Sequence, residues 1–231
     1  LFYKAQEKGE SMISINAGNN TLFVNGGGSN GAFETQLSMI KKGFPKECSD
    51  VHHQLKSRAS KKADCLHIIN PSESIKTAII WPDNLDNPEH PELCETGTVI
   101  IDVFKEDARY DSNKNNMGMV YIVPPNASRL SDEKLLNQVE KTAHNYIHAV
   151  TAYNRKNSDE TIKTLRVCHF STGFFLGRNS ELRSRVLERI IKGMEDQLKE
   201  YSTNGIDTKI DNIELSATFA KFWEDRCKQL D

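Results

Sequence analysis

The 231-residue chain is short of every signal that would place it outside the ordinary globular proteins. No apolar run approaches the ~20 residues needed to span a bilayer. Neither charge sign dominates. Thirty Lys+Arg face 32 Asp+Glu, for a formal net charge of -2. A protein whose main work is coating nucleic acid or an anionic membrane is expected to be far more basic. Five cysteines, Cys48, Cys65, Cys94, Cys168 and Cys227, are scattered without a CxxC pair. An odd, dispersed set argues against a disulfide framework and for a reducing, intracellular compartment, including that of another cell entered by a secreted effector. Cys48, His52, His53, Cys65 and His67 lie close in sequence, but their spacing matches no zinc pattern, so no metal is expected. The chain opens Leu-Phe-Tyr-Lys, with no Met and no apolar leader, and is expected to be part of a longer polypeptide.

What is present suits one globular domain over residues 1–231. Hydrophobic residues make up 37% and charged residues 27%, enough for a sizeable core. Apolar runs rich in β-branched residues alternate with helical patterns, which marks an α/β protein. Strands are expected near Met12–Asn16, Leu22–Val24, Leu66–Ile69, Thr77–Trp81, Thr98–Phe104, Met119–Val123 and Leu165–Phe170, with a last short one at Asn212–Leu215. Continuous runs such as Val99-Ile100-Ile101 suit strands covered on both faces. Ser131 and Asp132 begin a helix with apolar positions Leu135, Leu136, Val139, Ala143, Ile147 and Val150. A second follows Asn179 and Ser180, and a third runs from about Ala217 to Leu230. A weaker one starts near Ala32 and runs towards Lys42. The connections Pro82–Gly97 and Lys105–Gly118 are longer than usual loops.

The chemistry is concentrated in Ile15-Asn16-Ala17-Gly18-Asn19-Asn20-Thr21-Leu22-Phe23-Val24-Asn25-Gly26-Gly27-Gly28-Ser29-Asn30-Gly31-Ala32. A strand leads into a polar loop, three glycines and a helix start. Glycines let backbone approach a ligand closely, and the N–H groups of such a loop with a helix N-terminus behind them form an anion-binding concavity. A diphosphate suits it. No GKS or GKT follows, so this is not a P-loop, and it is not GxGxxG. A second strand, Leu165–Phe170, ends in Ser171-Thr172-Gly173-Phe174-Phe175, and a helix follows. Ligands of open α/β sheets bind outside such strand ends, so two loops could grip one phosphate-bearing ligand.

The pattern Asn16-Ala17-Gly18-Asn19, Gly26-Gly27-Gly28 and Gly31-Ala32 resembles the macrodomain ligand loop, NAAN…GGG…GA. Ser171-Thr172-Gly173-Phe174-Phe175 resembles that family's second loop. The resemblance implies a three-layer α/β/α fold with a mixed central sheet. It also implies recognition of ADP-ribose or an ADP-ribosylated protein by a monomer, without cofactor, membrane or direct nucleic-acid binding. By the same resemblance Asn19 would contact the distal ribose. Gly26, Gly27, Gly28, Ser29 and Asn30 would line the ribose and diphosphate, Ser171, Thr172, Gly173 and Phe174 would cradle the diphosphate, and Phe175 would pack near the distal ribose.

Some macrodomains hydrolyse ADP-ribosyl linkages, and that activity is the leading expectation, with a non-catalytic reader as the alternative. Many hydrolytic members have Asp after the glycines, in GGGVDGA. Here that position is Asn30, which cannot be a general base. The early Gly-Asp-Ile segment that holds adenine in the family is also missing from the N-terminus. A base at the ribose must therefore come from elsewhere. Glu34 lies nearest the glycines. Asp102 sits inside a strong strand, where a charge is unusual unless it faces a cleft or partner, and Asp107 and Asp111 follow it in the long loop.

Overall fold

The computed structural model describes residues 11–58, 71–80, 90–109, 115–176, 180–216, 219–221 and 224. Within them a six-stranded sheet forms from β1 (Met12–Ala17), β2 (Ile75–Ile80), β3 (Val99–Phe104), β4 (Asn116–Ile122), β5 (Thr164–Val167) and β6 (Asn212–Leu215). The order across the sheet is β2-β3-β4-β1-β5-β6. The pairs β2–β3 and β3–β4 are antiparallel, whereas β4–β1, β1–β5 and β5–β6 are parallel. The C-terminal ends of β1, β4 and β5 consequently share one edge of the sheet. One extra residue in β4 interrupts its register with β1 between the pairs Met12–Asn116 and Ser14–Met119.

Alternation along the strands sends two sets of side chains to opposite faces. On one face Ile13, Ile15, Ile101, Val103, Val120 and Leu165 join a core with helices α3 (Asp132–Lys156) and α4 (Arg183–Thr203). On the other, Ile100, Phe104, Met119 and Tyr121 pack with α1 (Gly28–Ile40) and α2 (Phe44–Arg58). These are the three layers expected from the resemblance. Helices α3 and α4 approach closely at Gly193, where a Cβ would lie 2.2 Å from the Glu140 carbonyl oxygen. Beside that crossing, Arg189 and Lys192 of α4 both bind the Glu140 carboxylate. Burial raises the Glu140 pKa, but the hydrogen bonds from Lys192 and then Arg189 outweigh it and hold the carboxyl below its ordinary value.

Two elements differ from the sequence reading. Leu22–Val24 is not a strand. Leu22 and Val24 are buried in the α1/α2 core, but a turn closed by the Leu22 N–H on the Asn19 carbonyl, at 3.2 Å, takes the chain away from the sheet. Helix α2 is additional. Phe44, Cys48, Val51 and Leu55 form its buried stripe at spacings of four, three and four. Leu66–Ile69, Cys65, His67 and most of the C-terminal helix around Cys227 fall outside the described residues. Among the described residues, no helix is long and apolar enough to cross a membrane, no group of His, Cys, Asp and Glu is arranged to hold a metal, and Cys48, Cys94 and Cys168 are buried and outside any disulfide.

Candidate functional site

The two glycine-bearing loops follow β1 and β5, adjacent strands of the same sheet edge. The first is held from beneath by its own side chains. Asn19 uses its amide oxygen to accept from the Thr21 hydroxyl at 2.6 Å and the Phe23 N–H at 3.2 Å, and its amide nitrogen donates to the Phe23 carbonyl at 3.1 Å. The Tyr121 hydroxyl, rising from β4, accepts from the Asn19 N–H at 2.8 Å. Asn30 is 3% exposed. Its amide nitrogen donates to the carbonyls of Phe23 and Asn25 at 2.8 and 2.6 Å, and its oxygen accepts from Asn16 at 3.0 Å. A carboxylate at position 30 would set its oxygens against those carbonyls, which gives Asn a local reason to be there. Ser29 donates to the Ala17 carbonyl at 3.0 Å, tying the helix start back to β1.

The second loop is built in the same way. Ser171 donates to the Pro125 carbonyl at 2.8 Å, joining it to the loop after β4. Thr172 donates to the His169 carbonyl at 2.9 Å. Phe174–Leu176 forms a single 3-10 turn. The loops also share a backbone feature. Leu22 and Ser171, neither a glycine, have φ of +64° and +57°. A left-handed L-residue costs of the order of 1–2 kcal/mol, so each loop stores strain that its hydrogen bonds must hold.

With these side chains committed, backbone is what the loops have to offer. Helix α1 begins at Gly28 with Gly27 as its N-cap, and no side chain caps the first turn. Its leading N–H groups have no intrahelical acceptor and carry the positive end of the helix dipole. Gly27 itself is exposed, its φ is -112°, and a Cβ there would meet nothing within 4 Å. Gly173 on the second loop is likewise exposed and unobstructed. Gly31 is different, because a Cβ there would lie 2.1 Å from the Gly26 carbonyl oxygen. Packing accounts for Gly31, but neither packing nor conformation asks for glycine at Gly27 or Gly173.

The carboxylates are distributed differently. Glu34 is half-buried on α1 and accepts from the Gly26 N–H at 3.3 Å. It also lines a cavity of about 310 Å³ with Phe23, Asn25, Ser38, Lys46 and Ser49, on the α1/α2 side of the loop. Asp102 is fully buried under α2 with its carboxylate 2.7 Å from Nε2 of His52. It faces a partner, not a cleft. Asp107 lies in a 3-10 turn after β3. Because β3 runs antiparallel to β4, Val99 and not Phe104 is level with Ile122. Asp107 is thus at the edge opposite the glycine loops and does not enter a ribose site from this strand end. Asp111 lies outside the described residues. The sequence reading missed the pairing of His52 with Asp102; the signal for it was the charge inside a strand, but its partner comes from a helix that was not foreseen.

Strand β5 ends at Val167, short of the expected Phe170; His169, two residues beyond it, has its pKa lowered, first by burial and then by the nearby charge of Arg183. Cys168 beside it is buried, and burial pushes its thiol up to about 12, so it stays an unreactive thiol.

No protein-family model matches the chain. Among solved structures it is similar to a mutant of the Oceanobacillus iheyensis macrodomain with ADPR, with a TM-score of 0.56 and 14% identity over 98% of this chain and 90% of that one. It is also similar to a Trypanosoma brucei macrodomain, with a TM-score of 0.52 and 12% identity over 94% of this chain and 62% of that one. The fold is therefore that of a macrodomain. In sequence the chain is similar to the DNA/RNA-binding protein ALBA4 of Plasmodium falciparum (isolate 3D7), 31% identical over 207 residues, covering 80% of this chain and 53% of the relative. The protein of the same name from Plasmodium yoelii yoelii is 31% identical over 208 residues, with the same coverage. The chain spans about half the length of the curated relatives it matches.

Proposed function

We propose that this domain binds ADP-ribose, free or attached to a protein, with the diphosphate between Gly26–Ser29 and Ser171–Phe175. The observation that carries the proposal is the pair Gly27 and Gly173. Each is an exposed glycine that the fold does not require, one on each loop of the shared sheet edge. Close approach of a ligand to the backbone is what such positions serve. Further support comes from the uncapped start of α1 and from the macrodomain fold, one example of which is the ADPR complex from Oceanobacillus iheyensis. The match covers only about half of the relatives named for DNA and RNA binding, and a net charge of -2 gives little support for nucleic-acid binding by this part. Calorimetry with ADP-ribose tests the proposal. Saturable heat at micromolar to millimolar ligand is expected, and no heat at millimolar ADP-ribose would refute it.

A second reading adds hydrolysis of an ADP-ribosyl linkage on a modified protein. Its favouring observation is the Glu34 carboxylate on the glycine loop. Asp102 is sequestered and Asp107 is at the far edge, so Glu34 is the base to test. If the parent releases ADP-ribose from modified protein, Glu34→Gln should slow turnover by ~10²-fold or more, as for a positioned base, with ADP-ribose affinity within a few-fold. Unchanged turnover would remove Glu34 from the mechanism.

A further inference from the structure

His52 and Asp102 form a buried couple that the proposed binding does not use directly. Both side chains are fully inaccessible. The two nitrogens of His52 point in opposite directions. Nε2 meets the Asp102 carboxylate at 2.7 Å, and Nδ1 lies 3.1 Å from the Leu22 carbonyl oxygen. A carbonyl only accepts, so Nδ1 carries a hydrogen. The Nε2–Oδ2 contact then holds one more proton, on either partner, and the couple is neutral overall. Leu22 is the residue held at φ +64°, and it opens the segment leading to Gly26. Tyr121 stands beside the imidazole, ring centroids 4.8 Å apart, and its hydroxyl binds Asn19. The loop therefore rests on two buried posts, one from α2 and one from β4.

Among the described residues, Cys48 and Tyr121 beside the couple stay uncharged. Burial and then the Asp102 charge raise the Cys48 thiol, and burial foremost raises the Tyr121 hydroxyl. No described group solvates the second Asp102 oxygen, which is buried without a hydrogen-bond partner. A buried pair of this kind is no aid to stability in itself, because apolar residues of the same shape often fold as well. Its value is in fixing where a specific atom sits.

We propose that His52 and Asp102 are positioning residues for the ADP-ribose site: Asp102 orients the imidazole, and the imidazole holds the Leu22 carbonyl so that the strained turn presents Asn25–Ser29 in the binding geometry. The inference rests on the binding proposed above. Two variants and one spectrum test it. Asp102→Asn can donate to Nε2 while Nδ1–H still reaches Leu22, so its ADP-ribose affinity should stay within roughly threefold of the parent. The double variant His52→Phe with Asp102→Leu removes both polar links but keeps the core apolar. It should fold, lose roughly tenfold or more in affinity, and exchange its amide hydrogens at residues 19–25 roughly tenfold faster, which corresponds to ~1.4 kcal/mol. Parent-like affinity and exchange in the double variant would overturn the proposal, as would an Asp102→Asn affinity as poor as the double variant's. Nitrogen-15 NMR of the parent should show a protonated Nδ1 at His52 near neutral pH, and a neutral ring with its lone pair on Nδ1 would also overturn it. The spectrum and the exchange rates need no ligand. If the parent itself fails to bind ADP-ribose, they still decide on the couple while the functional proposal falls.

Discussion

Gly27 and Gly28 are neighbours with different reasons to be glycine. Gly28 has φ of +62°, where a side chain is strained whatever the space around it. Gly27 has ordinary extended backbone and open space. Gly27→Val is therefore the cleaner substitution. It should lower the melting temperature by no more than a few degrees, since Val caps a helix less well than Gly, and weaken ADP-ribose by about tenfold or more, through a side chain standing where the ligand approaches. Calorimetry and thermal melting on the same variant check both halves, and unchanged affinity would mean the glycine run is only a turn. The asparagines carry a related lesson. The resemblance to the macrodomain loop implies Asn19 and Asn30 as ligand contacts. In the fold most of their capacity is spent on Thr21, Phe23, Asn25 and Asn16. A loop that must hold Leu22 at φ +64° needs such internal bonds, and residue type alone does not say which way an amide is turned.

At the level of elements, the α3–α4 crossing illustrates how packing overrides propensity. Gly193→Ala gains ~1 kcal/mol of helix propensity. The added Cβ would, however, meet the Glu140 carbonyl oxygen at 2.2 Å and Ala143 Cβ at 3.0 Å, and forcing apart two packed helices costs ~1–3 kcal/mol. The clash should win, with a lower melting temperature in denaturation experiments. An equal or higher value would mean the helices separate easily. Strands and long helices were legible because their periodicity is strong, as in Val99–Phe104 and in the stripe from Leu135 to Val150. Helix α2 was not. Cys48 and His52 occupy positions on its buried side, and the polar run Lys46–Asp50 dilutes the pattern. Leu22–Val24 reads as a strand because it is a short apolar run; Leu22 and Val24 are indeed buried, but by a turn. Strand direction was also beyond the sequence. Asp107 falls at the far sheet edge only because β3 runs against β4, and nothing in the residues around it reveals that.

For the molecule as a whole, two helical layers close over a mixed sheet and leave one edge where backbone is held under strain. Stability should depend on pH through His169. Its folded pKa is depressed by burial and Arg183, below the ~6.5 of an unfolded histidine. The unfolded state therefore takes up the proton first. This contribution is fully present above the unfolded value and is lost as pH falls through it and down to the folded value. The melting temperature of the parent should drop more between pH 7.5 and 5.5 than that of His169→Gln, and equal slopes would exclude this histidine. The most direct test of the central claim is amide NMR during an ADP-ribose titration. Gly26–Ser29 and Ser171–Gly173 should shift together along one saturable binding curve, while the Asp107 turn at the opposite edge stays still. No saturable shift at millimolar ADP-ribose, or shifts confined to one loop or to another face, would contradict it.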